Sequence, residues 1–288
     1  MTPDKLNVCF AFFPYGGTGG TSMEVPNVRD WFYRAGFALS NTGKVGSIKT
    51  ANYSDTPITM TRNMAVVGAR KAKADILVMV DSDMWPDLYA KEPSAKPFID
   101  SSFKFMCERR DAGLVTTRAA PYCGPPPAED VYVFKWEDDV GNDTPAELKM
   151  YSREEAAVMS GIREANALAT GLIMFDMEIF ELTDPKHEYA HLEAEIGRDW
   201  ALRITRPWFY YEWKDIYASD KVSTEDAVCT RDIGFMAALK LGYNPMFCNW
   251  DSWAGHWKPK CVGKPKPMNT AHVNSKYLDA VRREMKNA

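Results

Sequence analysis

The sequence lacks any apolar run near the roughly 18 to 20 residues that a membrane span needs, which excludes a helical span. Its N-terminus, "MTPDKLNVCF", lacks the basic-then-apolar layout of a secretion signal, so a cytoplasmic location is the default expectation. No CxxC pair or zinc-ligand spacing occurs among Cys9, Cys107, Cys123, Cys229, Cys248 and Cys261, which reads as scattered free thiols in a reducing compartment. A large excess of either charge is also missing, with 35 Lys and Arg against 39 Asp and Glu. The net charge of -4 argues against a protein that coats nucleic acid nonspecifically, while leaving room for a local basic patch. Internal repeats, low-complexity blocks and an obvious interdomain linker are all missing.

What is there is an ordinary globular composition, 45% hydrophobic and 26% charged over 288 residues, enough to bury a sizeable core. Short apolar strands alternate with helical patterns. "LNVCFAFF", "VGSIKT", "DILVMV", "GLVTT", "GLIMF" and "NPMFCNW" read as strands, and "VYVFKW" as part of an edge hairpin. "PNVRDWFYRAGFAL", residues 95–111, "SREEAAVMSGIREANAL" and "TEDAVCTRDIGFMAALKLGY" read as helices, the last stopped by Gly242. Strands and helices in this order predict an α/β fold with a largely parallel sheet covered by helices.

The stretch "ADILVMVDSDMWPD" poses the functional question. Five apolar residues, Ile76 to Val80, lead straight into Asp81, Ser82 and Asp83. Alternation along a strand puts Asp81 and Asp83 on one side and Ser82 on the other. In parallel α/β sheets ligands gather at the carboxyl ends of strands. Two close carboxylates repel, and a hard divalent cation such as Mn²⁺ or Mg²⁺ removes that cost and commonly bridges to a diphosphate. The plain alternative is a solvated turn after a buried strand. A third reading makes Asp81 the nucleophile of a haloacid-dehalogenase-type phosphatase. That chemistry wants Thr or Val soon after the pair, where Trp85 and Pro86 stand, and a GDxxxD motif that is absent.

Three other segments bear on the choice. In "TRNMAVVGARKAKA", Arg62 and Asn63 open a helix that returns to the DxD strand, and the Arg fork suits a diphosphate. In "ATGLIMF", Gly171 permits close backbone approach of a sugar or is simply a turn glycine. Glu225 and Asp226 open the helix of "TEDAVCTRDIGF", where acids are favourable against the helix dipole, and His256 follows the last strand. The run "RPWFYYEW" supplies aromatic faces. About half of it is expected in the core, and Trp208 and Tyr210 are the candidates for an acceptor platform.

The order of these elements, RN, apolar strand, DSD, TGLIMF, the ED helix and then GHW, resembles a glycosyltransferase of the GT-A fold. The closest impression is of the small single-domain enzymes of bacteriophage and bacterial genomes. The resemblance covers about residues 6–258, with a lid loop and short helix expected over 259–288. It implies a Rossmann-like, mixed and mostly parallel sheet in one domain, and a hexosyl- or pentosyltransferase. It implies metal contacts from Asp81, Asp83 and His256, a set that Mn²⁺ tolerates better than Mg²⁺. It implies a general base at Asp226 or Glu225, and a nucleotide-sugar donor held by Pro14, Tyr15, Arg62, Asn63, Asp81, Ser82, Gly171 and Lys258. Lysines of the stretch 258–266 would fold over the phosphates. A hydroxymethylated pyrimidine in phage DNA and a glycan are the acceptor candidates. A non-catalytic nucleotide-sugar or glycan-binding module is the competing class. The chain departs from the large processive synthases, because no QxxRW follows the ED. "PYGGTGGTS" is not a P-loop, because no GK[ST] follows.

Overall fold

The structure, a computed structural model, describes residues 5–16, 22–23, 26–53, 57–124, 130–137, 147–213, 221–223, 225–257 and 261–262. The strand Ile76–Asp81 organises it, and residues 76 to 80 are fully buried. Their side chains alternate between two cores. Ile76, Val78 and Val80 join Val8 and Phe10 of the strand Leu6–Phe13. They are covered by Trp31 and Leu39 of the helix Pro26–Asn41 and by Phe98 and Phe103 of the helix Phe98–Asp111. Leu77 and Met79 join Cys9 and Ala11 on the other side. There Ala65, Val66 and Ala69 of the helix Ile58–Lys71 cover them, with Cys229 and Ile233 of the helix Glu225–Leu241. A strand that is apolar throughout is what a sheet covered on both faces demands. Each such buried side chain contributes about 1.5–3 kcal/mol.

Seven strands form the sheet, in the order Ile162–Glu164, Met246–Asn249, Thr117–Ala119, Leu172–Asp176, Ile76–Asp81, Leu6–Phe13, Val45–Asn52. The last three are mutually parallel. Leu172–Asp176 runs against both its neighbours, Met246–Asn249 runs parallel to Thr117–Ala119, and Ile162–Glu164 closes the edge antiparallel. Five of the seven strands therefore point one way, giving a mixed, mostly parallel α/β sheet flanked by helices. The expected edge hairpin is present as Val131–Glu137 against Glu147–Tyr151. No helix among the described residues is long and apolar enough to cross a membrane. The five described cysteines are all buried.

Two helix expectations change. The segment 152–168 is not one helix. A capping box of Ser152 and Glu155 starts the helix Arg153–Ala157, which ends after one turn and a half. Gly161, at φ 70°, redirects the chain into the strand Ile162–Glu164, paired with Asn249, Cys248 and Phe247. Ala167–Leu168 then pairs with Phe134 and Val133. An unpaired sheet edge offers this segment backbone partners that outweigh its helical spacing. The helix expected from residue 95 begins at Phe98, directly after Pro97.

The glycine-rich turn at 17–21, Lys258 and, apart from the pair Cys261–Val262, the lid and helix expected over 259–288 lie outside the described residues.

Candidate active site

The carboxyl ends of Leu6–Phe13 and Ile76–Asp81 meet at the register Phe13↔Asp81, so Asp81 ends the most buried strand at the sheet's edge. The chain turns at Ser82 and Asp83, then forms the short strand Met84–Trp85. That strand pairs antiparallel with Gly255–Trp257, placing Gly255 opposite Trp85 and His256 opposite Met84. The Trp257 amide donates to the Asp83 carbonyl at 2.6 Å. Backbone pairing thus brings His256 to the DxD turn across some 170 residues of chain.

The two aspartates have different partners. Arg62 lies buried beneath the site, 2% exposed, and donates from Nη2 to Asp81 Oδ2 at 3.0 Å and from Nη1 to the Thr170 carbonyl at 3.3 Å. Its guanidinium stacks over Phe13 at 5.1 Å. Asp83 Oδ2 instead faces His256 Nε2 at 3.3 Å. His256 Nδ1 sits 3.2 Å from the Cys123 carbonyl, which can only accept. That contact turns Nδ1 toward the carbonyl, to which its N–H donates, and leaves Nε2 facing Asp83. Tyr122 and Tyr132 stand edge-on to the imidazole, centroids at 5.2 and 6.3 Å, and hold the ring in place.

Asp226 lies in the first turn of the helix Glu225–Leu241, with its Oδ1 2.9 Å from the Ala227 amide. Its charge reaches the same crevice. Burial pushes the Asp81 carboxyl up, Arg62 opposes this, and Asp83 and Asp226 push it further up. Burial likewise raises the Tyr122 hydroxyl well above its ordinary value, with Asp226 and Asp81 adding to the effect. Among the described residues, one guanidinium thus stands with three carboxylates, an arrangement compatible with a bound cation.

The expected residues divide on this geometry. Asp81, Asp83, Asp226, Arg62 and His256 come together. Asp81 is drawn to Arg62 rather than into one ligand set with Asp83 and His256, and no group of three or more His, Cys, Asp or Glu among the described residues is arranged to hold a metal ion. Arg62, expected to meet diphosphate, is spent on Asp81 and the Thr170 carbonyl. Asn63 turns away from the crevice. Its side chain bonds both backbone groups of Phe209, at 2.9 and 3.2 Å, and the Thr59 carbonyl at 2.7 Å. Gly171 does not leave room for a sugar, because a Cβ there would lie 2.8 Å from the Tyr122 hydroxyl and 2.9 Å from Met84 Sδ. Its carbonyl accepts from the Asp81 amide at 2.8 Å, so the glycine fixes the strand end. Ser82 is buried at 5% exposure. Pro14 and the backbone of Tyr15 follow directly on the strand that ends beside Asp81, with Tyr15 paired to Met23. Glu225 opens its helix, but its side chain lies outside the described residues. Tyr122 was not foreseen. It sits in "AAPYCGPPP", where no spacing marks it.

Two features fit a divalent cation. Ligand atoms about 2.1 Å from a shared ion, at right angles, stand roughly 3 Å apart, and Asp83 Oδ2 and His256 Nε2 are separated by 3.3 Å. Asp81 Oδ1 is buried and has no hydrogen-bond partner among the described residues. A carboxylate and an imidazole form a mixed donor set that suits Mn²⁺ better than Mg²⁺.

No protein-family model matches the chain, and no curated protein does. Solved structures do show likeness. "A197 from STIV" is 14% identical, with 91% of this chain and 96% of that one covered at a TM-score of 0.47. A UDP-glucose pyrophosphorylase complexed with UDP-glucose is 8% identical, covering 98% and 100%, at 0.42. A glycosyltransferase involved in glycosylation of the major capsid of PBCV-1 is 9% identical, covering 65% and 68%, at 0.27. At such identities and scores the likeness is one of broad architecture, and any function has to come from the site.

Proposed function

We propose that the protein is a metal-dependent glycosyltransferase of GT-A type that moves a sugar from a nucleotide-sugar donor to an acceptor hydroxyl. The observation that carries this reading is the convergence of Asp81, Asp83, Asp226 and His256 over one buried Arg62 at the carboxyl edge of the sheet. Asp83 and His256 are the protein's two contacts to the cation. Two such ligands are typical of ions that complete their coordination with substrate phosphates and water. When bound, the cation supplies charge neutralisation for the departing diphosphate.

The chain's own residues do the rest. The Cys123 carbonyl holds His256 in the tautomer that offers Nε2. Arg62 opposes the upward pull of burial and acidic neighbours on the Asp81 carboxyl. Asp226 accepts the acceptor's proton as the acceptor oxygen bonds to the anomeric carbon, and the bond from that carbon to phosphate breaks with its electron pair leaving on the nucleoside diphosphate. An ordinary carboxylate serves as base when held within hydrogen-bond reach of the hydroxyl.

The test is donor hydrolysis. Purified protein with Mn²⁺ is expected to hydrolyse one member of a nucleotide-sugar panel slowly, and Asp83→Ala to reduce that rate by roughly a hundredfold or more. Ligand-induced thermal stabilisation without turnover of any donor would replace the enzyme by a binding module. Turnover of a phosphomonoester alone would point to the phosphatase.

A further inference from the structure

A second concavity, of about 560 Å³, lies apart from the carboxylate crevice, and neither Asp81, Asp83, Asp226 nor His256 lines it. Its size is within the range that holds a small ligand. One side is the helix Glu225–Leu241, where Ile233, Phe235 and Met236 line the space, and the other is the segment carrying Pro207, Trp208 and Tyr210. Phe235 and Met236 are 61% and 46% exposed, so the concavity offers apolar surface to whatever enters.

Its aromatic rings are fixed by their polar atoms. The Trp208 indole N–H donates to the Thr183 carbonyl at 3.0 Å, and Arg70 stacks over the ring at 4.7 Å. The Tyr210 hydroxyl bonds the Asp232 carboxylate and lies 3.3 Å from Arg206 Nη1. Rings held this way are rigid platforms that lose little freedom when a ligand stacks on them. The charges around them nearly cancel. Asp184, Glu188 and Asp232 stand against Arg206 and Lys240, and Lys240 is already bonded to the Leu182 carbonyl. A nucleic-acid backbone needs a net positive field, which this lining does not provide. A neutral ligand with flat apolar faces and many hydroxyls fits: a sugar chain.

The concavity is coupled to the crevice in two ways. Asp226 and Asp232 are six residues apart on one helix, about 9 Å along its axis. Phe209, between the two platform rings, is fully buried and tied to Asn63, whose neighbour Arg62 holds Asp81. We propose that this concavity seats the remote sugars of a neutral oligosaccharide acceptor while its near end reaches Asp226, an assignment that rests on the glycosyltransferase reading. It selects the glycan over the DNA base as acceptor class.

The test needs neither donor nor metal. Saturation-transfer-difference NMR is run with maltotriose, cellotriose and triacetylchitotriose, and with a ten-residue single-stranded oligothymidylate. At least one trisaccharide is expected to show transfer that falls fivefold or more in Phe235→Ala, an exposed position where folding is not at risk, and in Tyr210→Ala, with the remote surface variant Glu155→Gln unchanged. No transfer from any trisaccharide, transfer indifferent to both substitutions, or transfer to the oligothymidylate that Phe235→Ala weakens would overturn the proposal. Donor turnover without trisaccharide binding would remove this inference alone. Trisaccharide binding without any donor turnover would remove the transferase reading and leave a carbohydrate site without an acceptor role.

Discussion

Two aspartates end strands at opposite edges of the sheet, and each meets an arginine. Asp81 ends Ile76–Asp81 and takes Arg62 at 3.0 Å, whereas Asp176 ends the antiparallel strand Leu172–Asp176 and takes Arg110 at 2.6 Å. Both carboxyls are pushed up by burial, and each has one buried oxygen without a hydrogen-bond partner among the described residues. Their surroundings differ. Around Asp176 the acids Asp75, Glu181 and Asp184 each pair with Arg110 or Arg70, at 3.7, 2.8 and 2.7 Å. Around Asp81, among the described residues, one buried guanidinium stands with a cluster of three carboxylates and a histidine. Acids outnumber arginines at both places, so a perturbed carboxylate and the charge count alone do not separate them. The kind of partner does: arginines tie the acids around Asp176 to helices and sheet, whereas Asp83 faces an imidazole, a donor set that also suits a cation.

The widest expected gap between the two edges is in rate. Asp226→Asn should lower the rate of sugar transfer by about 10²–10⁴ while leaving the unfolding midpoint almost unchanged. Asp176→Asn should leave transfer per folded molecule unaltered, and a fall in transfer would break the comparison. In stability the order reverses from polar surface expectations. Arg62→Met leaves Asp81, half-buried with its Oδ1 shielded from water, without its counter-charge and should cost about 1.5–3 kcal/mol in urea unfolding. The double variant Arg62→Met with Asp81→Asn should recover a large part of this, because no charge is then stranded. Arg110→Met strands Asp176, which is 1% exposed, and should cost at least as much, about 3–5 kcal/mol, although water reaches the guanidinium itself. A clearly smaller cost there than for Arg62→Met would break this ordering.

The smallest effect concerns a surface pair remote from both edges. The Lys135 ammonium, and then the Ser152 amide, hold the Glu155 carboxyl below its usual range. A depressed carboxyl contributes stability that is present above its unfolded pKa and lost as pH falls through its folded one. The pair is solvent-exposed, so Glu155→Gln should remove only about 0.2–1 kcal/mol at neutral pH, with the difference from wild type vanishing on acidification.

Much of the site was legible. Asp81, Asp83, Asp226, Arg62 and His256 all carry chemistry that burial or motif spacing marks, and the structure brings them together. Asn63 and Gly171 sit in equally suggestive stretches and turn out to serve Phe209 and Tyr122. Nothing in a linear pattern says which way an amide faces or which ring will fill the space beside a glycine. Tyr122 left no mark at all, since a tyrosine in a proline-rich loop has no periodicity. Residues 152–168 have helical spacing, yet the open sheet edge beside Met246–Asn249 claims part of them.

The sequence by itself determined the layered architecture, because a run such as "ILVMV" can be satisfied only between two covering layers and because helix starts and stops are written in local residues. Tertiary structure alone decided how the charges are shared. Arg62 goes to Asp81 and His256 to Asp83 because the strands Met84–Trp85 and Gly255–Trp257 pair and the helix Ile58–Lys71 packs beneath the sheet's edge. Such partnerships depend on distances of a few ångströms between residues far apart in the chain, and local spacing carries no information about those.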